Sequence, residues 1–347
     1  MEQFFEQLEA AKACWWPYIL SLILCLVGII RRYIGGNYCP SENRIDGKIV
    51  IITGGSSGIG LATAKHLAKR GATIILAVRN AEQGKCALET LLTECPETNA
   101  IIKLIDLTDF VSIREFANQI NLEYEKIDIL INNAGIIFHP YKKTVDGNEI
   151  TISTNYFGPF LLTHLLLNLL NNSDNGRVIN VSAVAHLRGK INLDDLNSEK
   201  NFVEIEAFSQ SKLALTMFTK HMASLLKYTH LTFNAVNPGL VRGTKHLRNS
   251  KLTTSFPTKL SVWPWMWLFM KTPNQGCQTI VYTAVDPSLH NVSGCYFSNC
   301  EMQKPSDLVN DVQLSEELYR KTCQIVNIDG ETIINNIREV EHQRKTN

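Results

Sequence analysis

The sequence predicts an α/β protein in which a doubly wound parallel sheet, covered by helices on both faces, follows a single N-terminal membrane helix. Two observations support this prediction. Apolar runs alternate with helical stretches between residues 48 and 300, and continuous apolar strands are typical of a parallel sheet buried on both faces. An uncharged segment of 17 residues, from Cys14 to Ile30, precedes them.

The composition agrees with a globular domain and excludes several functions. The chain has 347 residues, of which 45% are hydrophobic and 19% charged, so one large domain can bury a full core. The net charge of +1 gives no reason to expect a nucleic-acid partner. The nine cysteines form no Cys-x-x-Cys pair, so we expect neither a metal site nor a disulfide framework.

The N-terminal segment is predicted to be an uncleaved membrane anchor, with a helix at about residues 14–30 in a tail that ends at residue 34. A spanning helix needs roughly 17–25 residues, so the segment is long enough. Glutamates precede it, and Arg31 and Arg32 follow it, which places the next domain on the cytosolic side. A cleaved signal peptide is the alternative, but the start is acidic and no small-residue cleavage site follows.

The remaining elements follow in order. Residues 35–47 predict a polar linker, residues 48–300 the main domain, and residues 301–347 a C-terminal extension of polar helices. Strands are predicted at KIVIIT, TIILAV, AIIKLID, IDILINNAG, RVINVS, LTFNAVNPG and, as the last strand, VSGCYFS. Helices are predicted over Ile59–Lys69, from Ala81 to about Leu92, over Asp109–Glu123, in one long stretch that ends near Leu170, and through Lys212.

A lid is predicted at about residues 242–273, where the segment SFPTKLSVWPWMWLFMKTP carries three tryptophans within five residues. Two interpretations remain open. The segment is either a hydrophobic helix packed on the domain, or a lid that also touches the bilayer and admits a lipid, because exposed tryptophan prefers the membrane interface.

The motif IITGGSSGIG predicts a dinucleotide site. Thr53, Gly54, Gly58 and Gly60 come directly after a predicted strand and open a helix. Glycines there permit a tight turn and close approach of the backbone to a pyrophosphate, whose charge the helix N-terminus attracts. The alternative is a glycine-rich turn without a ligand.

Arg79 favours NADP(H) over NAD(H). It lies at the end of the second predicted strand, where an NAD site usually has an acid for the ribose 2′-hydroxyl and where an arginine suits a 2′-phosphate. Arg79 as a solvated surface charge is the alternative.

Four motifs, in order and spacing, resemble those of the short-chain dehydrogenases/reductases. They are TGGSSGIG, NNAG, the aromatic-x-x-x-Lys pattern at Phe208 and Lys212, and NPG, over about residues 45–300. The segments DLTDFVSIREFA and KTPNQGCQTIVYTAV are similar to the retinol-dehydrogenase-like branch. This resemblance implies a Rossmann-type fold, a lipid alcohol or aldehyde as substrate, anchoring to the endoplasmic reticulum and a homodimer.

The resemblance also implies roles for individual residues. Asn155 would hold a water in the proton relay, and Lys212 would bind the nicotinamide ribose and lower the pKa of the family's tyrosine. An ordinary helix-kinking Asn155 and a surface Lys212 are the alternatives. The implied cofactor-binding residues are Thr53, Gly54, Ser56, Ser57, Gly58, Ile59, Gly60, Arg79, Asp106, Leu107, Asn133, Ala134, Gly135, Lys212, Pro238 and Gly239.

The sequence departs from the family at its proton donors. Phe208 occupies the position of the catalytic tyrosine and Ala183 that of the catalytic serine, while Gly243 stands where a threonine is expected, next to Thr244. Ser182 precedes Ala183, but successive strand side chains point to opposite faces. A positioned general acid contributes roughly 10²–10⁴-fold to rate, and one oxyanion donor roughly 10²–10³-fold.

Two functions therefore remain. The first is a membrane-anchored NAD(P)-binding protein that is impaired in the standard chemistry of the family, because Tyr→Phe and Ser→Ala remove oxygens and preserve packing. The second is an active NADP-dependent oxidoreductase of a lipophilic alcohol or carbonyl with another proton donor. Lys212 acting through water and His186 are the candidates for that donor, although a structural role suits His186 better.

Overall fold

A computed structural model describes residues 1–13, 15–242 and 264–346 of the chain. Its centre is one eight-stranded sheet with the strand order β3-β2-β1-β4-β5-β6-β7-β8, in which all neighbours are parallel except β7 and β8. The strands are β1 (Ile49–Thr53), β2 (Thr73–Val78), β3 (Ala100–Leu104), β4 (Ile129–Asn132), β5 (Arg177–Val181), β6 (Thr232–Asn237), β7 (Tyr296–Ser298) and β8 (Glu301–Gln303). The predicted parallel sheet is confirmed.

Helices cover both faces of the sheet. They are α1 (Glu2–Ala13), α2 (Trp16–Gly35), α3 (Gly58–Ala68), α4 (Ala81–Glu94), α5 (Phe110–Glu123), α6 (Ile150–Ile152), α7 (Gly158–Leu165), α8 (Leu167–Asn171), α9 (Glu204–Leu225), α10 (residues 264–269), α11 (Pro273–Gly276), α12 (Gln278–Val285), α13 (Val312–Ile325) and α14 (Gly330–Thr346).

Each central strand contributes side chains to two hydrophobic cores, one on each face of the sheet. In β1, Ile51 packs with α5, α7 and α9 on one face, while Val50 and Ile52 pack with α3, α4 and α12 on the other. Successive side chains of a strand point to opposite faces, so an unbroken apolar run is what a sheet with two covered faces requires.

Two elements differ from the sequence-based expectation. Tyr296–Ser298 is not the last strand, because a tight turn at Asn299 and Cys300, both with positive φ, returns the chain as the antiparallel β8. The helix predicted to end near Leu170 is interrupted by a π-helical turn over Ser153–Phe157. Pro159 has no amide hydrogen for the regular bond to residue 155, and the amide of Gly158 instead reaches back to Ser153.

The N-terminal helix is longer than expected. Helix α2 continues five residues past Ile30 to Gly35, and Gly36, whose φ is +71°, caps its C-terminus. Arg31 and Arg32 therefore belong to the helix, because arginine is a good helix former although it ends the apolar run. Among the described residues, α2 is the one helix long and apolar enough to cross a membrane, and 6% of its most apolar window is buried.

Candidate functional site

A cleft of about 390 Å³ lies at the carboxyl ends of β1, β2 and β4. The strand order reverses between β1 and β4, and this is where open α/β sheets bind ligands. The predicted cofactor residues that line it are Thr53, Gly54, Ser56, Ser57, Gly58, Ile59, Gly60, Arg79, Asp106, Leu107, Asn133, Ala134 and Gly135. Lys212, Pro238 and Gly239 do not line this part of the cleft.

The glycines of the first turn are required by its geometry. Gly54 and Gly58 have φ angles of +67° and +56°, which glycine adopts without strain. A β-carbon on Gly60 would lie 2.5 Å from the carbonyl oxygen of Gly54. Helix α3 begins at Gly58, and Ser57 makes no side-chain cap, so its first amides face the cleft without a side-chain acceptor. This arrangement fits a pyrophosphate.

Thr53 joins the two strands at the reversal point. Its Oγ1 accepts the amides of Asn133 and Ala134, each at 3.0 Å, and the side chain of Asn133 donates to the Thr53 carbonyl at 2.8 Å. These bonds fix the loop after β4 against the glycine turn, so both walls of the cleft are set by buried polar contacts.

The part of the cleft that lies after β2 carries a positive charge. Arg79 is exposed after β2, and Asn80 next to it caps α4 by accepting the amide of Gln83 at 2.9 Å. The one carboxylate among the lining residues is Asp106, whose Oδ1 accepts both the amide and the hydroxyl of Thr108. An anion at this end of the cleft therefore meets Arg79.

Lys212 is buried rather than on the surface. Its side chain on α9 is 5% exposed, and its Nζ donates to the carbonyl oxygen of Val181, at the end of β5, at 2.8 Å. Burial lowers the pKa of its ammonium group to about 8. The ring centroid of Phe208 lies 5.9 Å from Nζ, so an aromatic ring, not a hydroxyl, is the neighbour of this cation.

The hydroxyl of Ser182 forms its hydrogen bonds with α9. Its hydroxyl lies 2.8 Å from that of Thr216 and donates to the carbonyl of Lys212 at 3.3 Å. This serine therefore does not replace the hydroxyl that Ala183 lacks, in agreement with the alternation of strand side chains.

Both ring nitrogens of His186 form hydrogen bonds with backbone groups. Its Nε2 accepts the amide of Ser306 at 3.2 Å, so Nδ1 carries the hydrogen and donates to the carbonyl of Ala183 at 2.8 Å. Burial lowers the pKa of the ring. The ring also packs on that of Tyr296, with 4.6 Å between the two centroids. His186 is thus a neutral structural histidine and a poor candidate for the proton donor.

Asn155 bridges two walls of the site from the π-helical turn. Its Oδ1 accepts the amide of Ile136 at 2.8 Å, and its Nδ2 donates to the carbonyl of Ile136 and to the hydroxyl of Ser211. Ser211 in turn donates to the carbonyl of Phe208 at 2.8 Å. The fully buried amide thus ties the loop after β4 to the turn of α9 that carries Phe208 and Lys212.

Comparison with known proteins assigns the family. The family model described as short chain dehydrogenase matches residues 48–254. The chain belongs to the short-chain dehydrogenase family. Proteins of this family are oxidoreductases that bind NAD(P), which agrees with the glycine turn at the reversal point of the sheet.

Relatives of this short-chain dehydrogenase are found among retinol and polyprenol dehydrogenases. Retinol dehydrogenase 12 of Mus musculus is 36% identical over 312 residues, which are 90% of this chain and 96% of the relative. Polyprenol dehydrogenase of Homo sapiens is 35% identical over 327 residues, 92% and 98% of the two chains. The retinol-dehydrogenase-like resemblance of the sequence motifs is confirmed.

Solved structures agree on the fold. An uncharacterized protein of Mycobacterium paratuberculosis superposes with a TM-score of 0.68 and 30% identity over 85% of this chain and 98% of its own. A short chain dehydrogenase of Escherichia coli CFT073, complexed with NADPH, gives a TM-score of 0.58 at 23% identity over 76% and 100% of the two chains. At that identity the second likeness shows the fold alone.

Parts of the predicted site lie outside the described residues. They are Gly243, Thr244, Trp263 and most of the lid segment. At the end of β6, Gly239 has a φ of +79°, and a β-carbon there would lie 3.2 Å from Cε of Lys271.

The structure adds residues that the motifs did not single out. Asn80, Gln83, Thr108, Ile136 and Thr154 line the cleft. Each lies within four residues of a predicted position, so closeness to a motif in the sequence is the signal that could have found them. Ser211 was missed as the partner of Asn155, since a contact over 56 residues leaves no local trace in one sequence.

Proposed function

We propose that this short-chain dehydrogenase is a membrane-anchored NADP(H)-binding protein for a lipophilic alcohol or aldehyde, impaired in the standard proton transfer of the family. One observation carries the proposal. The cofactor cleft and the buried Lys212 are retained, whereas the two hydroxyl positions beside them hold Phe208 and Ala183. The names of the retinol and polyprenol dehydrogenase relatives support the lipophilic substrate class.

The missing hydroxyls bear on one step. NADPH held by the glycine turn would supply a hydride to a carbonyl carbon, and the oxygen that takes up the electron pair would have to receive a proton. The Phe208 ring and the Ala183 methyl group have no acidic hydrogen to give. Loss of a general acid costs roughly 10²–10⁴-fold in rate, and groups that act as a unit do not add, so the loss of both is smaller than the product.

A second candidate function is slow turnover with another proton donor. The burial of Lys212, which lowers the pKa of its ammonium group to about 8, favours this candidate. A lysine with that pKa gives up a proton more readily than an ordinary lysine does.

The proposed organisation follows the sequence. It comprises a tail with a membrane helix in residues 1–34, a linker over residues 35–47, the cofactor domain over residues 48–300 with its lid, and the C-terminal extension over residues 301–347. The cofactor domain would face the cytosol from the endoplasmic reticulum membrane. The same proposal includes a homodimer, which sedimentation of the detergent-solubilised protein tests.

The deciding experiment measures NADPH and NADH consumption by the purified full chain with retinal and with a polyprenal. A double variant, Phe208→Tyr with Ala183→Ser, is assayed in parallel, and nucleotide binding is measured for both proteins. We expect equal binding and at least about 100-fold faster turnover by the double variant. Turnover of the unchanged protein within about tenfold of the variant would instead establish the second candidate and direct attention to Lys212.

A further inference from the structure

Arg31, at the end of α2, holds the end of α10. Its Nη1 donates to the carbonyl oxygens of Trp267 at 2.6 Å, Met270 at 2.8 Å and Leu268 at 3.4 Å. The last carbonyls of a helix have no partner within the helix, so one guanidinium caps α10 from a residue more than 230 positions earlier. The helix proposed to enter the membrane and the tryptophan-bearing helix are therefore joined end to end.

Two cations share the ring of Trp267. The guanidinium carbon of Arg31 lies 5.2 Å from the ring centroid and that of Arg242 lies 6.0 Å from it. Desolvation and the charge of Arg31 both lower the pKa of Arg242. Neither arginine forms an ion pair with a carboxylate in the described part of the chain. The pair thus lacks a counter-anion from the described protein.

The outer side of α10 is aromatic and exposed. The side chains of Trp265 and Phe269 are 63% and 46% exposed, and their rings stack at 5.8 Å with an angle of 8° between the planes. No residue of the described ranges covers this surface, and aromatic side chains with a polar rim are stable at the level of lipid headgroups.

We propose that α10, together with Arg31 and Arg242, forms a surface that rests in the headgroup region of the same phospholipid bilayer that α2 enters. The lipid phosphates pair with the guanidinium groups of Arg31 and Arg242. The rings of Trp265 and Phe269 lie at the boundary between the headgroups and the acyl chains. Arg31 sets the depth of α10, because it fixes the helix to the point where the apolar part of α2 ends. This inference rests on the proposed membrane anchoring, and it selects the membrane-touching interpretation for the described end of the lid.

The test uses the full chain with Trp15, Trp16 and Trp263 changed to phenylalanine, so that Trp265 and Trp267 report alone. This background protein is reconstituted into vesicles of phosphatidylcholine and phosphatidylserine, with or without lipids brominated near the headgroup end of the acyl chain. Flotation measures anchoring, bromine quenching of tryptophan fluorescence measures contact of α10 with lipid, and NADPH binding measures the integrity of the fold.

Arg31→Ala and Arg32→Ala are compared in this background. Both remove one positive charge at the same end of α2, but Arg32 is exposed and donates no hydrogen bond to any described residue. We expect strong quenching in the background protein, a loss of roughly half or more of it in Arg31→Ala, and little change in Arg32→Ala. Arg242→Ala, which leaves the cap of α10 in place, is expected to lose less than Arg31→Ala.

The outcomes separate the two proposals. A background protein that floats without being quenched overturns the α10 surface and leaves the anchoring intact. A protein that does not float refutes the anchoring, and the surface falls with it. Equal losses of quenching in Arg31→Ala and Arg32→Ala overturn the role of the cap, because they show that the loss depends only on removing a positive charge. Quenching in the background protein tests the surface even if Arg31→Ala fails to bind NADPH.

Discussion

Phe208 and Ala183 are the residues on which the proposed loss of proton transfer depends. Phe208 is 8% exposed and lies over Lys212 Nζ at 5.9 Å, and Ala183 precedes a 3-10 turn that His186 closes. The resemblance implies that each residue lacks one oxygen of the family pattern. The backbone carbonyls at both positions are hydrogen-bonded, that of Phe208 by Ser211 and that of Ala183 by His186. We therefore expect these residues to affect proton transfer, which needs a hydroxyl hydrogen, and to have little effect on packing, which depends on volume.

Lys212 gives a stability prediction with a definite sign. Burial lowers its pKa from the ordinary 10.5 to about 8, so between these values the unfolded chain binds a proton that the folded chain does not. The protonation of Lys212 therefore subtracts nothing from the unfolding free energy above about pH 10.5, and the penalty grows as the pH falls to about 8.

The measurement compares the full chain with Lys212→Met by chemical unfolding between pH 7 and pH 10. We expect the variant to be more stable at pH 7, by up to about 3 kcal/mol, with a difference that shrinks as the pH rises. Other titrating groups cancel in the comparison. A difference that does not vary with pH would show that Lys212 titrates normally in the folded protein.

Arg79 gives a prediction about cofactor preference. Arg79→Ala should raise the dissociation constant for NADPH by roughly 10–150-fold and leave that for NADH unchanged, because a charge-assisted bond to the 2′-phosphate is worth about 1.5–3 kcal/mol. Lys85→Ala is the matched control, since Lys85 is an exposed cation of α4 that does not line the cleft. Equal losses for both nucleotides in Arg79→Ala would count against NADP(H) selectivity.

At the scale of elements, the π-helical turn over Ser153–Phe157 places one side chain where two walls of the site meet. The extra residue in the turn lets Asn155 face both Ile136 and Ser211, and a regular helix would change that direction. The bonds that the structure shows join Asn155 to Ile136 and Ser211, and the water-holding role implied by the resemblance stays a prediction.

Asn155→Ala should cost about 1–3 kcal/mol of unfolding free energy, because it removes the partner of the half-buried amide and carbonyl of Ile136 and one partner of the buried Ser211 hydroxyl. Asn168→Ala, at an exposed position of α8, should change stability by less than about 0.5 kcal/mol. Thermal or denaturant unfolding of both variants gives the comparison. A similar small effect at both positions would show that the Asn155 bridge contributes little.

At the scale of the whole molecule, the C-terminal extension is part of the core. Helix α13 buries Leu318 and Tyr319 with α7 and α9, and the hydroxyl of Tyr319 donates to Nε2 of His164 at 2.9 Å. Burial lowers the pKa of His164 to about 4, so this ring is neutral and accepts the bond. The polar appearance of the extension in the sequence reflects its outer face only.

Leu318→Ala should therefore destabilise the protein by about 2–5 kcal/mol, as expected for a buried leucine in a packed core. Leu122→Ala is the control, because that side chain on α5 is 88% exposed and should change stability by less than about 0.5 kcal/mol. Both are measured by denaturant unfolding of the full chain. A loss below about 1 kcal/mol in Leu318→Ala would mean that the extension is only loosely attached.

The sequence by itself determined the parallel sheet, the glycine turn, and the two positions that lack hydroxyls. These features are local, since an apolar run indicates a strand buried on both faces, a positive φ favours glycine, and a residue type fixes which atoms exist. Only the tertiary structure decided that Lys212 is buried and bonded to the carbonyl of Val181. It also decided that the amide of Ser306 donates to Nε2 of His186, and that α13 packs into the core. The cap of α10 by Arg31 and the return of β8 belong to the same group. Contacts between residues distant in the chain are set by the packing of whole elements, and one sequence carries no local signal for them.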